Sequence, residues 1–227
     1  MRVVIWDWPV RLFHWSLAIS ASIGLYSGFE NKFDSAEALG MKLGADWGTV
    51  HLYCGYTVLS LCIFRLFWGL FGSSNVKLWR LAPPFGAVLS YMKTLHKPAK
   101  RMAGHNPMGS YASLVLIFGF LAQAAMGLYA MDDYFYEGPL AYSVSSSDSK
   151  EITSFHKLWG VYLIAFVSIH ISTIILYRLV RKRNLVTAMV TGHDELSKGE
   201  LPPTIAGIGA VIASTALTAA VVWYWVG

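Results

Sequence analysis

The sequence is poor in charge and in cysteine. Only 14% of its 227 residues are charged, 55% are hydrophobic, and the mean hydropathy is +0.47, which excludes an ordinary soluble globular composition. Cys54 and Cys62 lie in one apolar segment, about 12 Å apart along a helix, too far for a disulfide within it. The CxxCH motif of covalent c-type haem attachment is missing.

The start of the chain also lacks the features of a cleaved signal peptide. MRVVIWDWPVRLFHW has no basic n-region followed by a short apolar stretch and a small-residue cleavage site. We therefore expect the first apolar segment to be retained.

Five apolar segments are long enough to span a bilayer as helices, and the alternation of a barrel strand is missing. They cover approximately Pro9–Phe29, Thr49–Phe71, Ser110–Met131, Ser154–Tyr177 and Thr204–Val226. The predicted fold is an all-α membrane protein with a four-helix transmembrane bundle (residues 1–183). A short segment and a fifth, C-terminal transmembrane helix follow (residues 184–227). The small residues of that last segment suit packing against the bundle or, in a homodimer, against a second copy of the chain.

The net charge of +5 is unevenly distributed among the loops. The loop 72–109 has six basic residues and no acid, and 178–183 has four basic residues. The loops 30–48 and 131–153 carry four and five acids. By the positive-inside rule, the amino terminus is cytoplasmic and the carboxyl terminus periplasmic in a bacterial inner membrane. The basic excess is therefore an orientation signal, and we expect no nucleic-acid partner.

Four histidines fall at two matched depths in this topology. His156 and His170 are fourteen residues apart, just under four helical turns, so they share a face about 21 Å apart. His51 lies at the outer depth with His156, and His14 lies at the inner depth with His170. Histidine is rare within membrane segments because its ring needs a partner there. Two depth-matched pairs therefore predict two haem irons, each held by two imidazoles and each restricted to electron transfer.

Other residues near these histidines are candidates for cofactor contact. Gly55, Gly160 and Ala18 each lie four residues after a histidine and leave room for a porphyrin edge. Arg65 lies fourteen residues after His51, where its guanidinium either pairs with haem propionates or reaches to lipid headgroups. Arg11 is a further candidate for haem packing or propionate binding.

The motif GHNPMG precedes the third apolar segment and contains His105 and Asn106. These two residues either cap the helix that follows or border a site for a polar-headed ligand at the inner surface.

Taken together, these motifs resemble the bacterial cytochrome b-561 and Ni/Fe-hydrogenase cytochrome b superfamily. The resemblance covers roughly residues 6–183, and rests on LFHW, VHLYCG, FRLFWG, GHNPMG and FHKLWG. It implies a di-haem b core, with His14 and His170 on one iron and His51 and His156 on the other. It also implies electron exchange with ubiquinone or menaquinone, for which His105 and Asn106 are candidates, and a periplasmic partner such as a c-type cytochrome or a hydrogenase-like enzyme.

Two other functions compete with this interpretation. One is a self-contained oxidoreductase that passes electrons from a small outer-face donor such as superoxide to quinone, but the acidic outer loops do not favour an anionic donor. The other is a haem-free transporter with a histidine relay, which predicts internal repeats that the sequence lacks.

Overall fold

The computed structural model of the chain describes residues 2–30, 47–95, 102–131 and 137–226. Within these residues the protein is almost entirely helical. The helices are α1 (Trp8–Glu30), α2 (Trp47–Phe71), α3 (Phe85–Met92), α4 (Pro107–Tyr129), α5 (Ser146–Arg181), α6 (Leu185–Thr191) and α7 (Ile208–Val226).

Four of the described helices are long and apolar enough to cross a membrane, namely α2, α4, α5 and α7. This confirms four of the five predicted spans by length and composition. The fifth, α1, has 23 residues but does not reach the hydropathy of the other four. Its membrane crossing therefore stays a prediction.

The most central helix of the bundle is α2, which packs against α1, α4 and α7, while α4 packs against α5. The segment before α7 is tied to the end of α2, since the Thr204 and Ala206 amides donate to the hydroxyls of Ser74 and Ser73, both at 3.0 Å. Thus α7 starts where α2 ends and returns along it. The last helix was expected to pack against the bundle or against a second copy of the chain, and the structure shows that it packs against the bundle.

The start of α1 lies at the same end, because the Trp68 indole of α2 donates to the Asp7 carboxylate at 3.2 Å. The other Asp7 oxygen accepts the Val10 amide at 2.9 Å, so Asp7 caps α1. This end carries the basic residues that follow α2 and α5, and we call it the basic end.

A short sheet at the basic end was not predicted from the sequence. Strand β1 (Arg2–Val4) pairs antiparallel with β2 (His193–Glu195), so the amino terminus is joined to the segment after α6. Strands of three residues carry too few side chains for a visible alternation. The division of the chain into a core of residues 1–183 and a C-terminal part of residues 184–227 stays a prediction.

Helix α5 has 36 residues, about 54 Å, and is longer than the roughly 30 Å hydrocarbon layer. It begins at Ser146, eight residues before the predicted span, because the Ser145 hydroxyl caps it by accepting the Asp148 amide at 3.1 Å. The last part of the predicted loop 131–153 is therefore helical. Residues 31–46, 96–101 and 132–136, which carry many of the loop charges behind the predicted topology, lie outside the described residues.

Much of the apolar surface of the bundle faces outward. Only 11% of the apolar window is buried in α5 and in α7. In water such surfaces would have to be covered, whereas in lipid they are already solvated. The fold is therefore that of a multi-pass membrane protein.

Candidate functional site

His51 of α2 and His156 of α5 meet at the end of the bundle opposite the basic end. Their ring centres are 6.0 Å apart and the ring planes are 82° to each other. Two imidazoles on opposite sides of one metal ion, each about 2 Å from it, have ring centres about 6 Å apart. The predicted outer pair therefore comes together at a spacing that one iron would require.

The second ring nitrogen of each of these histidines is held by a backbone carbonyl. His51 Nδ1 lies 2.7 Å from the Gly24 oxygen, and His156 Nδ1 lies 3.0 Å from the Gln123 oxygen. Since a carbonyl can only accept, Nδ1 carries the hydrogen and Nε2 keeps its lone pair. Metal-bound histidines are usually oriented in this way.

Glycines on the neighbouring helices make room for both rings. A Cβ at Gly28 of α1 would lie 3.0 Å from His51 Cε1, and one at Gly127 of α4 would lie 3.3 Å from His156 Cε1. Larger residues would displace the rings from the carbonyls. The sequence showed Gly28 only as one of several small residues in the first helix.

Gln123 of α4 is a site residue that sequence reasoning missed. Its backbone oxygen orients His156, and its side-chain Nε2 lies 3.2 Å from His156 Nε2, the nitrogen that faces a metal. Its Oε1 is buried without a hydrogen-bond partner among the described residues. A metal at His156 therefore requires the amide to turn aside. The available signal was that Gln123 is the strongly polar residue of an otherwise apolar span.

The small residues predicted to line a porphyrin differ in what they face. A Cβ at Gly55 would meet nothing within 4 Å, so there is open space beside His51. A Cβ at Gly160 would lie 3.4 Å from the Gln123 side chain. Ala18 of α1 is exposed. Open space beside a histidine is compatible with a flat cofactor at that position.

For the inner pair, His14 of α1 and His170 of α5, the described residues show an electrostatic interaction between the rings and no ring contact of the kind that joins the outer pair. His14 Nδ1 is buried, and it has no hydrogen-bond partner in the part of the chain that the structure describes. A buried nitrogen without a partner is costly in a protein interior, and a metal bond is one way to satisfy a histidine ring. The outer pair therefore fits a metal held by two imidazoles, and the unpartnered His14 nitrogen is compatible with a metal at the inner pair.

The described residues contain no group of three or more His, Cys, Asp or Glu side chains that could hold a bare metal ion. A haem iron needs only axial ligands from the protein, because the porphyrin supplies the other four nitrogens. Pairs of histidines therefore fit haem better than an isolated ion.

Arg65 is only 3% exposed and lies inside the basic end of the bundle. Its Nη2 donates to the Val76 carbonyl at 3.0 Å, and it interacts electrostatically with Asp7, while Nη1 is buried without a hydrogen-bond partner among the described residues. The alternative in which it reaches out to lipid headgroups is therefore wrong. Arg11 uses Nη1 to bond the Val190 carbonyl at 2.7 Å, and its Nε is likewise unpartnered there.

His105 and Asn106 have different environments. Asn106 caps α4, since its Oδ1 accepts the Gly109 amide at 2.9 Å, as in the capping alternative. The His105 ring lies edge-on to Trp6 at 4.7 Å between centroids, and its Nδ1 is buried without a partner among the described residues. Burial, with smaller contributions from Arg65 and the inner histidines, lowers the pKa of His105 to about 3. His105 is therefore neutral at physiological pH and interacts with the inner pair.

Comparisons with known proteins identify the family of the chain. The model of the family described as prokaryotic cytochrome b561 matches residues 5–192. Proteins named as probable Ni/Fe-hydrogenase B-type cytochrome subunits are similar at low identity. The one from Azotobacter vinelandii is 23% identical over 84% of this chain and 87% of its own length, and the one from Rhodobacter capsulatus is 23% identical over 84% and 80%. No solved structure gives a significant match. Since the family model covers most of its length, the chain belongs to the prokaryotic cytochrome b561 family, which implies a b-type haem in a membrane helical bundle.

Proposed function

We propose that this chain is a di-haem cytochrome that transfers electrons across the membrane between the quinone pool and a redox protein on the periplasmic side. His51 and His156 bind the outer haem, and His14 and His170 bind the inner haem. When bound, each haem would supply an iron that gains and loses one electron, and two histidine ligands would leave that iron no position for oxygen. The protein contributes orientation, burial and nearby charge.

The observation that carries this proposal is the orientation of the outer pair. Two rings from different helices approach within 6.0 Å, and each is bonded through Nδ1 to a carbonyl of a third or fourth helix. A histidine that serves only packing does not need a second histidine beside it whose Nδ1 is bonded to a carbonyl in the same way. Helices α1, α2, α4 and α5 each contribute a ring or a carbonyl, which supports a cofactor-binding unit made of these four helices.

The basic end is the proposed site of quinone chemistry. Quinone oxidation and reduction move protons as well as electrons, so the site needs groups that form hydrogen bonds and exchange protons. His105 offers a neutral ring with an unpartnered nitrogen beside the inner pair. Asn106 keeps its amide nitrogen for a ligand, because its oxygen is used in the helix cap. Arg65 and Arg11 are the proposed partners of the inner propionates.

The redox partner is proposed by similarity. The relatives are named as probable cytochrome subunits of Ni/Fe hydrogenases, and a hydrogenase-like enzyme or a c-type cytochrome would exchange electrons with the outer haem. We retain the predicted topology, with the amino terminus and the basic end in the cytoplasm of a bacterium and α7 ending in the periplasm.

Removal of single histidines tests the ligand assignment. Purified protein should contain two b-type haems that separate in a redox titration. We expect His156→Ala to lose the outer component and keep the inner one. His193→Ala is a matched control, because His193 is an exposed strand residue that should bind no haem. A His156→Ala protein that keeps two haems with unchanged spectra would exclude the assignment.

The electron donor distinguishes an electron-transfer subunit from the alternative, a self-contained oxidoreductase that takes electrons from superoxide. If the protein is an electron-transfer subunit, a quinol analogue should reduce its haems and superoxide should not do so efficiently. The variant His105→Phe should slow reduction by the quinol analogue with both haems in place. Equal rates in the variant and the natural protein would remove His105 from the quinone site.

A further inference from the structure

The interfacial helix α3 is fastened to the basic end of α5 by a cluster of phenol and guanidinium groups. The hydroxyls of Tyr91 and Tyr177 form a hydrogen bond. Arg181 donates through Nη1 to the Leu95 carbonyl at 2.6 Å and to the Thr94 carbonyl at 3.3 Å, just after α3. The Arg181 guanidinium also lies 5.4 Å from the centre of the Tyr177 ring.

Two hydrogen-bond donors of this cluster lack an acceptor among the described residues. Two phenols have two hydroxyl hydrogens, and only one of them lies between the two oxygens. The second has no other acceptor in the described part of the chain. Arg181 Nε is buried and also lacks a hydrogen-bond partner among the described residues. A ligand that brings oxygen acceptors would satisfy these groups.

The cluster is also positively charged. The guanidinium groups of Arg181 and Arg183 both interact electrostatically with the Tyr91 phenol. Arg183 is paired with Asp194 at 2.5 Å, so a described carboxylate offsets one of these two charges. The Arg181 charge is met by carbonyl oxygens and an aromatic face, which are neutral. The complementary ligand is therefore an anion with several oxygens, such as a phosphate.

An apolar stripe runs along α3 beside this cluster. Phe85, Leu89 and Met92 are 68%, 45% and 49% exposed and recur at the spacing of one helix face. Tyr91 points from another face towards α5. A helix that exposes an apolar stripe at the end of a membrane bundle lies in the interface, with the stripe against acyl chains. One molecule at this place could therefore contact the polar cluster with its headgroup and the apolar stripe with its acyl chains.

We propose that Tyr91, Tyr177 and Arg181 bind the phosphate of an anionic phospholipid from the leaflet at the basic end, with its acyl chains along Phe85, Leu89 and Met92. Basic pockets between helices at the cytoplasmic surface are suited to anionic headgroups. The apolar stripe is the reason to prefer a phospholipid to a free phosphate. This site does not depend on haem or quinone binding.

Lipid retention tests the proposal. The full-length protein is reconstituted in vesicles with equal amounts of phosphatidylglycerol and phosphatidylcholine, extracted in mild detergent and analysed by native mass spectrometry. We expect phosphatidylglycerol to be retained in preference to phosphatidylcholine. Arg181→Gln should reduce its retention about tenfold, as expected for loss of a charge-assisted hydrogen bond. Tyr91→Phe should reduce it a few-fold while leaving the Arg181 contacts to α3 in place.

The controls separate a specific site from general charge. Arg80→Gln removes the same charge from an exposed position at the basic end and should leave retention unchanged. If Arg80→Gln lowers retention as much as Arg181→Gln does, or if the natural protein retains both lipids equally, the proposal is wrong. Inorganic phosphate at the same concentration should not displace the lipid; displacement would show a free-anion site. Circular dichroism confirms that each variant is folded.

Discussion

Replacement of Gly28 by alanine tests how the His51 ring is held. The new Cβ would lie 3.0 Å from His51 Cε1 and 3.2 Å from His51 Nδ1, whereas ordinary carbon contacts are 3.4–4 Å. The ring must therefore shift by roughly half an ångström to relieve the contact. That shift strains the hydrogen bond from Nδ1 to the Gly24 carbonyl, now 2.7 Å, and turns Nε2 away from the proposed metal position.

The expected magnitude differs between folding and haem binding. Overfilling a packed site costs about 1–3 kcal/mol, while alanine in place of glycine within a helix gains about 0.5–1 kcal/mol. The free energy of unfolding of the bundle should therefore fall by no more than about 2.5 kcal/mol. The helical gain is present with and without haem, so it does not offset the loss in binding. A loss of about 1–2 kcal/mol corresponds to a haem affinity about 5–30-fold lower.

Haem content and redox titration of purified Gly28→Ala measure this effect. We expect the outer component to be depleted or shifted in potential while the inner component stays intact. Gly209→Ala is the matched control, because its Cβ would meet nothing within 4 Å. Two haems with unchanged potentials in Gly28→Ala would show that His51 does not bind through the ring orientation described above.

Three further predictions follow from the same geometry. Gly55→Ala adds a Cβ that meets no protein atom within 4 Å. We expect it to lower the haem content, because the proposed porphyrin fills that space. A haem content as high as in Gly209→Ala would show that no porphyrin lies there. Asn106→Ala removes a helix cap and should lower the melting temperature by about 2–4 °C in thermal unfolding, and no shift would exclude a stabilising cap. The pKa of His105 falls from 6.5 to about 3 on folding, so the unfolded state binds more protons in that range and the free energy of unfolding should decline as pH falls below about 6.5. His105→Phe, which keeps a ring against Trp6, should flatten that part of a denaturation profile measured against pH, and an unchanged slope would refute the assignment.

Helix spacing and loop charge were enough to predict that His51 and His156 lie together, while the inner pair stays a prediction. His156 and His170 must share a face of any straight helix, and the charge pattern assigned His51 and His14 to matching depths. The structure places His51 against His156, and it places His14 and His170 within electrostatic range. The helical spacing of the histidines was informative because the position of a side chain on a helix face depends only on helix geometry and on which residue type stands there.

The groups that orient the rings could not be predicted in the same way. Every residue has a backbone carbonyl, so nothing in the sequence marks those of Gly24 and Gln123. Which carbonyl meets a histidine depends on the crossing of helices, which the apolar pattern does not specify. The strand pairing of the amino terminus with residues 193–195 is a long-range contact of the same kind.

Helix α5 fixes the relation between the two proposed haem sites. It supplies one histidine to each pair, and the 14 residues between them lie within a single helix of 36 residues. The partners come from two different helices, α1 and α2, which pack against each other. The separation of His156 and His170 is therefore set by the rise of one helix, about 21 Å, and the two proposed sites would keep that separation unless α5 bends. A fixed separation suits a chain whose proposed task is to pass electrons between two sites rather than to open and close around a substrate.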